Sequence, residues 1–579
     1  MKLKRLLALT LTGCLAFSLA ACGGKKDSAP AASETPAAEA TETKEAQVQD
    51  WKHYDDLINE IRVMTDFAER EKKMHEAEDM LMDTGAIIPL YYYNDVYMMK
   101  PEVKGVYATP YGYKYFQFAD LGGKDTMRIM QASEPARLDP ALNSSVDGAI
   151  LAISSFAGLY TYDENNEPVP DLVESVEVSE DGKTYTFTLK EGLKWSDGSD
   201  LTAKDFEYSW KRAAATETAA DYSYMFDVIK GAPDELAVTA SEDGKTFTVE
   251  LNAPCAYFYD LCAFPTFFPV KQDQVEAAEG YKGEDGKIKD AGAWAVEAGF
   301  VSNGPFTLES WNHNESMTYV KNPNYHRADD VKLEKLEFML SSDNTAALAA
   351  YEAGDLDFID GIPTEEMQSL KERDDFYKID QLGTYYACFN VNSPLFEGKT
   401  PAQAAAMRKG IGALIDREYI INTVAQAEQV PADSFLPPNM ANGHGGVFKS
   451  NSDIYTYPEG TGYYDATTVD IDKAIEYLKE AGFEFDGDQL SPNTPLHIEY
   501  LTNQMDSHEA IAAAIQQDLA EVGIEMKIKT QDWEVFLETR KKGDYDMARN
   551  GWISDFNDPI NMLEMWTSDS GNNDCQLGR

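Results

Sequence analysis

The sequence is poor in the residues from which metal centres and nucleophilic active sites are usually built. Its 579 residues include 6 cysteines and 7 histidines, and no cysteine pair has the Cys-x-x-Cys spacing of a zinc site. His75 and Glu76 begin a pattern similar to that of zinc proteases, but Asp79 stands where the second histidine would be. No Gly-x-Ser-x-Gly nucleophile turn occurs. We therefore predict a protein with no metal, no cofactor and no catalytic activity.

Basic residues are scarce relative to acidic ones. Lys and Arg number 50 against 100 Asp and Glu, so the formal net charge is -50 at pH 7. Nucleic acid is thus excluded as a partner, because its phosphates would be repelled. An anionic membrane surface would be repelled as well, so any membrane attachment has to come from a lipid. A well-solvated surface explains the charge, and a preference for cationic solutes is the alternative.

Long apolar runs are absent after the first residues of the chain. Residues 6–21 are apolar, follow Lys2, Lys4 and Arg5, and are too few for an ordinary membrane span. They predict a secretory signal over residues 1–21. The run ends in Leu-Ala-Ala-Cys, which resembles the cleavage site of bacterial lipoproteins, so we expect Cys22 to carry the lipid. The alternative is a plain signal cut after Ala21, with Cys22 an ordinary thiol.

Residues 22–50 contain no large apolar side chain before their last positions, so they cannot bury enough surface to fold. We predict a flexible tether there. Four cysteines then remain in the body of the protein, at positions 255, 262, 388 and 575. We expect free buried thiols, and the sequence leaves open whether any of them form disulfides.

More than 500 residues follow the tether, which exceeds a single hydrophobic core and predicts two lobes. Alternating and helical periodicities are mixed throughout, as in an α/β protein. Strands are predicted at 184–189, 246–251, 306–308 and 317–320, and helices at 55–84, 345–353, 402–425, 471–481 and 507–522. Strands at 496–501 and 524–529 flank the last helix, which predicts a βαβ unit and a parallel sheet.

Several segments carry a family resemblance. They include residues 179–189 and 195–210 as well as Leu138-Asp-Pro-Ala-Leu142, Asn303-Gly-Pro-Phe306, Asn322-Pro-Asn-Tyr325, Gly354-Asp-Leu-Asp357 and residues 551–559. Together they resemble the peptide-binding family of extracytoplasmic solute-binding proteins. The resemblance implies an α/β, two-lobed periplasmic-binding-protein-like fold with an extra subdomain in the first lobe. It also implies that peptides are captured between the lobes.

One block is out of the family's order. Residues 51–120, with Tyr54-Asp-Asp-Leu-Ile58 and Ile88-Pro-Leu-Tyr-Tyr-Tyr93, resemble the family's C-terminal end but stand first, and residues 571–579 stop where that block would follow. We interpret this as a circular permutation. The alternative is a partial duplication or a wrongly assembled gene.

The permutation predicts the order of domains along the chain. Residues 51–100 complete the second lobe, residues 101–383 form the first lobe with its subdomain, and residues 384–579 form the remainder of the second lobe. The chain then crosses between lobes near Pro101 and near Gly383, and we expect these two crossings to form a hinge.

Three candidate ligand contacts lie in the segment around Gly551. The resemblance implies that Asp555 pairs with the α-amino group of a peptide, that Trp552 forms a wall of the site, and that Arg549 meets the peptide's carboxylate. The alternative for Asp555 is a turn or helix N-cap residue ahead of Asn557, Asp558 and Pro559.

Aromatic residues are the other candidates. The resemblance implies that Tyr208, Tyr91 and Tyr93 line the peptide cleft. In a strand, alternate side chains share a face, so Tyr91 and Tyr93 are expected on one face and Tyr92 on the other. We expect at least one of these three to be an ordinary core residue.

The sequence thus predicts a monomeric lipoprotein on the outer face of the cell membrane that delivers peptides to an ABC permease and its ATPase. A receptor of the same fold for an oligosaccharide or a metal chelate is the first alternative, and a surface sensor is the second. A hydrolase is a third that a substrate screen would exclude. Ligand length and sequence preference are not predicted.

Overall fold

The computed structural model describes residues 50–131, 134–135 and 137–579. The predicted signal, the predicted lipidation site Cys22 and all of the predicted tether except Asp50 lie outside these residues. Within the described part of the chain, no helix is both long enough and apolar enough to cross a membrane.

The structure has strands of very different length, from two-residue pairs to β1 and β15 with 13 and 14 residues. In chain order the strands are β1 Ile87–Met99, β2 Tyr107–Ala108, β3 Lys114–Tyr115, β4 Thr126–Gln131, β5 Tyr160–Tyr162, β6 Pro168–Pro170, β7 Val173–Val178, β8 Thr184–Leu189, β9 Val238–Ala240, β10 Thr246–Glu250, β11 Phe306–Asn312, β12 Ser316–Lys321, β13 Lys335–Leu340, β14 Phe358–Ile359, β15 Phe376–Phe389, β16 Val430–Pro431, β17 Phe485–Asp486, β18 Gln489–Leu490, β19 His497–Asn503, β20 Glu525–Gln531 and β21 Met547–Ile553.

Helices alternate with these strands along most of the chain. They are α1 Lys52–Ile61, α2 Phe67–Asp83, α3 Val146–Ser155, α4 Ala203–Ala214, α5 Phe258–Ala263, α6 Gln272–Ala277, α7 Asn344–Ala353, α8 Met367–Leu370, α9 Pro401–Ala413, α10 Arg417–Tyr419, α11 Ile471–Glu480, α12 Asp506–Glu521, α13 Trp533–Lys541 and α14 Ile560–Leu563. Short 3₁₀ turns connect several elements, including one at Ser223–Val228.

The largest sheet within the described residues is mixed and has 11 strands. Its order is β11-β12-β13-β4-β14-β1-β15-β21-β19-β20, and β16 pairs with β1. Strands β19 and β20 are parallel and are joined by α12, so the predicted βαβ unit is confirmed. The carboxyl ends of such parallel strands are where ligands bind in α/β proteins.

A separate antiparallel sheet, in the order β7-β8-β10-β9, projects from the first half of the chain. Buried and half-buried residues alternate along β8 and β10, as the sequence predicts. Its inner face packs on α4, where the fully buried Trp210 contacts Phe247 edge to face at 4.9 Å between ring centroids. The 3₁₀ turn Ser223–Val228 follows α4 and contributes to the candidate site described below.

Residues 51–120, which we call the displaced block after the interpretation given above, are integral to the fold. Its strand β1 lies in the interior of the large sheet between β14 and β15. Its first helix is anchored by bonds from the Trp51 Nε1 group to the carbonyl of Trp566 and from the Tyr54 hydroxyl to the carbonyl of Leu563, both at 2.8 Å. A Cβ atom added to Gly578 would stand 2.8 Å from the Cβ of Trp51, so residues 51 and 578 touch.

The long antiparallel strands β1 and β15 connect the two ends of the large sheet. The first residues of β1 pack with α9, α11 and α12, whereas Met98 and Met99 already pair with β14. The pairing of β1 with β15 continues as far as Met98, close to the predicted crossing near Pro101. Its register shifts between Tyr92 and Asn94, next to the predicted second crossing at Gly383.

Two long predicted helices are divided in the structure. The helix predicted at 55–84 is α1 and α2, because the Asp66 side chain accepts hydrogen bonds from the backbone of Ala68 and Glu69 and so begins a new helix. The helix predicted at 402–425 ends at Ala413, and Asp416 caps a further short helix there.

Candidate ligand-binding cleft

A cavity of about 910 Å³ lies between the small antiparallel sheet region and the C-terminal part of the chain. One wall comes from residues 221–228 and 252–261, and the facing wall comes from residues 552–572 together with residues 59–70 of the displaced block. The lining combines aromatic, amide and charged side chains, as ligand sites usually do. Four separate stretches of sequence therefore build one cleft.

Asp555 lies directly behind this wall. Its side chain is 8% exposed, and its Oδ2 atom accepts a hydrogen bond of 2.8 Å from the Tyr224 hydroxyl and one of 3.3 Å from the Asn561 amide. Tyr224 and Asn561 both line the cavity. Tyr224 belongs to the opposite wall, so its bond to Asp555 joins the two sides of the cleft.

The charge of Asp555 is poorly compensated. Burial raises the pKa of its carboxyl to about 6, and the hydrogen bonds from Tyr224, Asn561 and Tyr222 reduce that rise. Among the described residues, no lysine or arginine contributes to the pKa of this group. A cation brought by a ligand would therefore supply an interaction that the protein itself does not provide.

Trp552 occupies the predicted position in the cavity wall. It is half-buried on β21 and lines the cavity, and its Nε1 group donates a hydrogen bond of 2.9 Å to the Asn561 Oδ1 atom. The same Oδ1 atom accepts a bond of 3.1 Å from the backbone of Asp555. Asn561 thus holds both the predicted wall and the predicted anion in place.

Arg549 lies elsewhere. It stands on the other face of β21, because 549 and 552 differ by an odd number of strand residues. Its Nε group donates to the Asn503 Oδ1 atom at 2.8 Å, and its guanidinium lies over the Trp533 ring at 5.2 Å from the ring centre. It is 7% exposed and is not part of the cavity wall. The structure therefore does not bring Arg549 together with Trp552 and Asp555.

The predicted tyrosines are core residues or lie outside the cavity wall. Tyr91 and Tyr93 do share a face, with ring centroids 5.8 Å apart, and Tyr91 stacks on Tyr385 at 4.8 Å. Tyr92 points the other way and donates to Asp433 at 2.7 Å. Tyr208 packs against the main hydrophobic core from α4.

Sequence reasoning missed the groups that surround Asp555. Tyr224 is 331 residues away in the chain and Asn561 is six residues away on α14. Tyr257 was also missed, and its ring stacks on Phe556 across the cleft with centroids 4.1 Å apart.

Asp558, which the sequence places only in a turn, forms a buried ion pair. Its two carboxylate oxygens each accept a hydrogen bond of 2.8 Å from the Arg70 guanidinium. Arg70 belongs to α2 of the displaced block and lines the cavity. The pair therefore fixes the displaced block to the segment that carries Asp555.

Comparison with known proteins identifies the family. The oligopeptide-binding protein OppA of Bacillus subtilis is 34% identical over 471 residues, which cover 78% of this chain and 79% of that protein. The dipeptide-binding protein DppE of the same organism is 30% identical, with 79% of each chain covered. The crystal structure of Haemophilus influenzae OppA in complex with the peptide RPPGFSPFR superposes with a TM-score of 0.63 at 27% identity, covering 79% of this chain and 85% of that one. Residues 167–574 match the family described as bacterial extracellular solute-binding proteins, family 5 Middle. The chain therefore belongs to the family 5 solute-binding proteins and has their two-lobed α/β fold.

Proposed function

We propose that this protein is an extracytoplasmic receptor that captures peptides in the cleft between its lobes and delivers them to an ABC importer. The observation that carries the proposal is Asp555, a buried carboxylate without a cationic partner among the described residues, bonded to two cavity-lining side chains. A peptide α-ammonium group is the complement of such an anion. The peptide-binding names of the related proteins support the same ligand class.

The proposed site consists of Asp555, Trp552, Tyr224 and Asn561. Backbone groups are shared by all peptides, and an anion for the α-amino group fixes one end of the ligand without reading its sequence. Arg549 remains a candidate for the far end of a longer ligand, since its guanidinium is hydrogen-bonded to an uncharged amide. Binding and release require no covalent step, so the proposed function is not enzymatic.

Asp555→Ala tests this proposal. The change leaves a ligand ammonium without its partner in a closed cleft, and loss of one member of such a pair costs about 2 to 5 kcal/mol. We expect affinity for a free-amine peptide to fall about thirty-fold or more. Calorimetric titration with a co-purified peptide and its N-acetylated form provides the measurement.

The acetylated peptide is the matched control. It has already lost the ammonium, so it should bind the original protein weakly and should hardly distinguish it from Asp555→Ala. Equal affinity of the original protein for both peptides would reject α-amino recognition. That result would favour a receptor for another solute, such as an oligosaccharide or a metal chelate.

We also propose attachment through a lipid on Cys22, which would keep this acidic protein at a membrane that otherwise repels it. The lipid leaves the cleft free to open and close. Movement about β1 and β15, whose pairing is irregular near Tyr92, is the proposed hinge motion.

The circular permutation remains our interpretation of the displaced block. The contact between Trp51 and Gly578 supports it, because a chain with the family's usual order would run from one of these positions into the other. Joining residue 579 to residue 51 by a short linker and opening the exposed Gly122–Gly123 turn should give a protein that folds and binds as before. A control opened inside β1, between Leu90 and Tyr91, should not fold. Circular dichroism would compare them, and equal behaviour of both variants would contradict the interpretation.

A further inference from the structure

Cys388 and Cys575 meet in the interior of the protein. Cys388 lies on β15, Cys575 lies in the C-terminal segment, and both are 0% exposed. The Cys575 thiol donates to the carbonyl of Ala86 at 3.7 Å, and the same carbonyl accepts a bond of 2.8 Å from the backbone of Phe389, the residue after Cys388. The Cys388 Sγ atom lies 3.6 Å from the Tyr545 hydroxyl, which donates a hydrogen bond of 2.6 Å to the carbonyl of Asp574, the residue before Cys575. Both thiols are free in the structure.

The surroundings make the two thiols chemically unequal. Burial acts to raise the pKa of Cys388, but the neighbouring Cys575, Arg540 and Tyr545 side chains outweigh it, and the pKa is lowered. Burial and the nearby Cys388 raise the pKa of Cys575.

We propose that Cys388 and Cys575 form a disulfide bond when the protein folds outside the cytoplasm. The bond would join β15 of the large sheet to the C-terminal segment. The inference rests on the extracytoplasmic location in the proposed function, where thiols meet disulfide oxidants, and not on the nature of the ligand.

The chemistry is a double exchange with a low-molecular-weight disulfide as oxidant. The Cys388 thiolate attacks one sulfur of the oxidant, which breaks the oxidant's S–S bond and releases one small thiolate. Cys575 then loses its proton and attacks the Cys388 sulfur, which closes the protein disulfide and releases the second small thiolate. Two protein thiols are oxidised and one external disulfide is reduced. Because both cysteines are buried in the folded protein, the first exchange takes place before the C-terminal segment has docked, and docking then brings Cys575 to the Cys388 mixed disulfide for the second exchange.

The other two cysteines provide the contrast. Cys262 is buried on α5 and Cys255 precedes that helix, and burial raises the pKa of both. Burial raises the pKa of both thiols even though the Arg70 guanidinium lies near Cys255 and opposes that rise, so we expect both to stay reduced. The proposed bond would also fix one part of the cavity wall to β15, because residues 569–572, just before Cys575, line the cavity.

Mass spectrometry after alkylation tests the proposal. The full-length protein is isolated from an extracytoplasmic compartment, and a second sample is refolded from the reduced state with oxidised glutathione. Both samples are denatured without reductant, alkylated with iodoacetamide and digested. We expect a cross-linked pair of peptides containing Cys388 and Cys575, lighter by two hydrogen atoms than the reduced pair, and alkylated Cys255 and Cys262. Alkylated Cys388 and Cys575 in both samples, or a cross-link to another cysteine, would overturn the proposal.

Matched double variants extend the test to stability. Cys255→Ala/Cys262→Ala should retain the cross-link, and a reductant should lower its melting temperature as it does for the original protein. Cys388→Ala/Cys575→Ala should melt at the same temperature with and without reductant. If the reductant lowered the melting temperature of both variants equally, the result would contradict the proposed pair. Peptide affinity is measured separately, so failure of the disulfide leaves the proposed function standing.

Discussion

Asp558 accepts two hydrogen bonds from the Arg70 guanidinium, whereas Asp555, three residues earlier, accepts hydrogen bonds from the uncharged Tyr224 and Asn561. Both carboxylates are buried. The charge of Asp558 is already neutralised within the protein, so this residue contributes to the fold. The charge of Asp555 has no cationic partner among the described residues. Its pKa is raised because burial disfavours the ionised carboxylate. The comparison distinguishes a structural anion from the proposed binding anion within one short segment.

The largest expected effect is on stability, from breaking the Asp558 pair. Asp558→Asn leaves the Arg70 guanidinium buried without its counter-charge, and removal of one partner from a buried pair costs about 3 to 5 kcal/mol. Asp555→Asn removes a buried charge that has no counter-charge, so the variant should be no less stable than the original protein at pH 7. Urea unfolding followed by circular dichroism measures both, and equal losses would erase the distinction between the two residues.

The expected stability of Asp555→Asn follows from the pKa of Asp555. An acid whose folded pKa is raised destabilises the fold as pH rises from its unfolded value, about 3.9, to about 6, and the penalty is constant above that. Asp555→Asn should therefore remove a loss of stability that the original protein shows between about pH 4 and pH 6.

Peptide binding has the opposite dependence on pH. The α-amino group is charged at both pH 5 and pH 7, whereas Asp555 with a pKa of about 6 is mostly ionised only at the higher pH. We expect affinity for a free-amine peptide to be about ten-fold weaker at pH 5 than at pH 7, as measured by calorimetry.

Asp555→Asn is the control for the pH dependence of binding. Burial raises the pKa of Glu78 to about 7, so this group titrates in the same range and can affect the whole protein. An effect of Glu78 would persist in Asp555→Asn, whereas an effect of Asp555 would disappear. A ten-fold pH dependence that survives in the variant would assign it to another group.

Local sequence patterns predicted the parts of the molecule that short-range physics determines. The helix α12 and its flanking parallel strands follow from apolar periodicity. The binding role of Asp555 is implied by the resemblance and stays a prediction. The opposite faces of Arg549 and Trp552 follow from strand alternation alone, but the resemblance outweighed it in the prediction.

Contacts between residues far apart in the chain could not be predicted from the sequence. No local pattern indicates that Tyr224 meets Asp555 across 331 residues, or that Arg70 meets Asp558 across 488 residues. The helix break at residues 62–66 was missed because the capping by Asp66 is one weak signal inside a strong helical pattern. The roles of the two aspartates depend on these contacts, so only the structure distinguishes them.

The smallest expected effect is that of removing one hydroxyl group, that of Tyr224, on peptide affinity and its pH dependence. Tyr224→Phe keeps the aromatic ring in the cavity wall but removes the hydrogen bond that lowers the pKa of Asp555. The carboxyl should then hold its proton to a higher pH, and the midpoint of the pH dependence of binding should move upward. One lost hydrogen bond is worth about 1 kcal/mol, so affinity at pH 7 should fall a few-fold. Tyr257→Phe is the matched control, since Tyr257 stacks on Phe556 and its hydroxyl makes no hydrogen bond to Asp555. Calorimetric titration from pH 5 to pH 8 would compare the two variants. An unchanged midpoint in Tyr224→Phe would mean that Tyr224 only closes the cleft, and that the charge of Asp555 is set by burial and Asn561 without it.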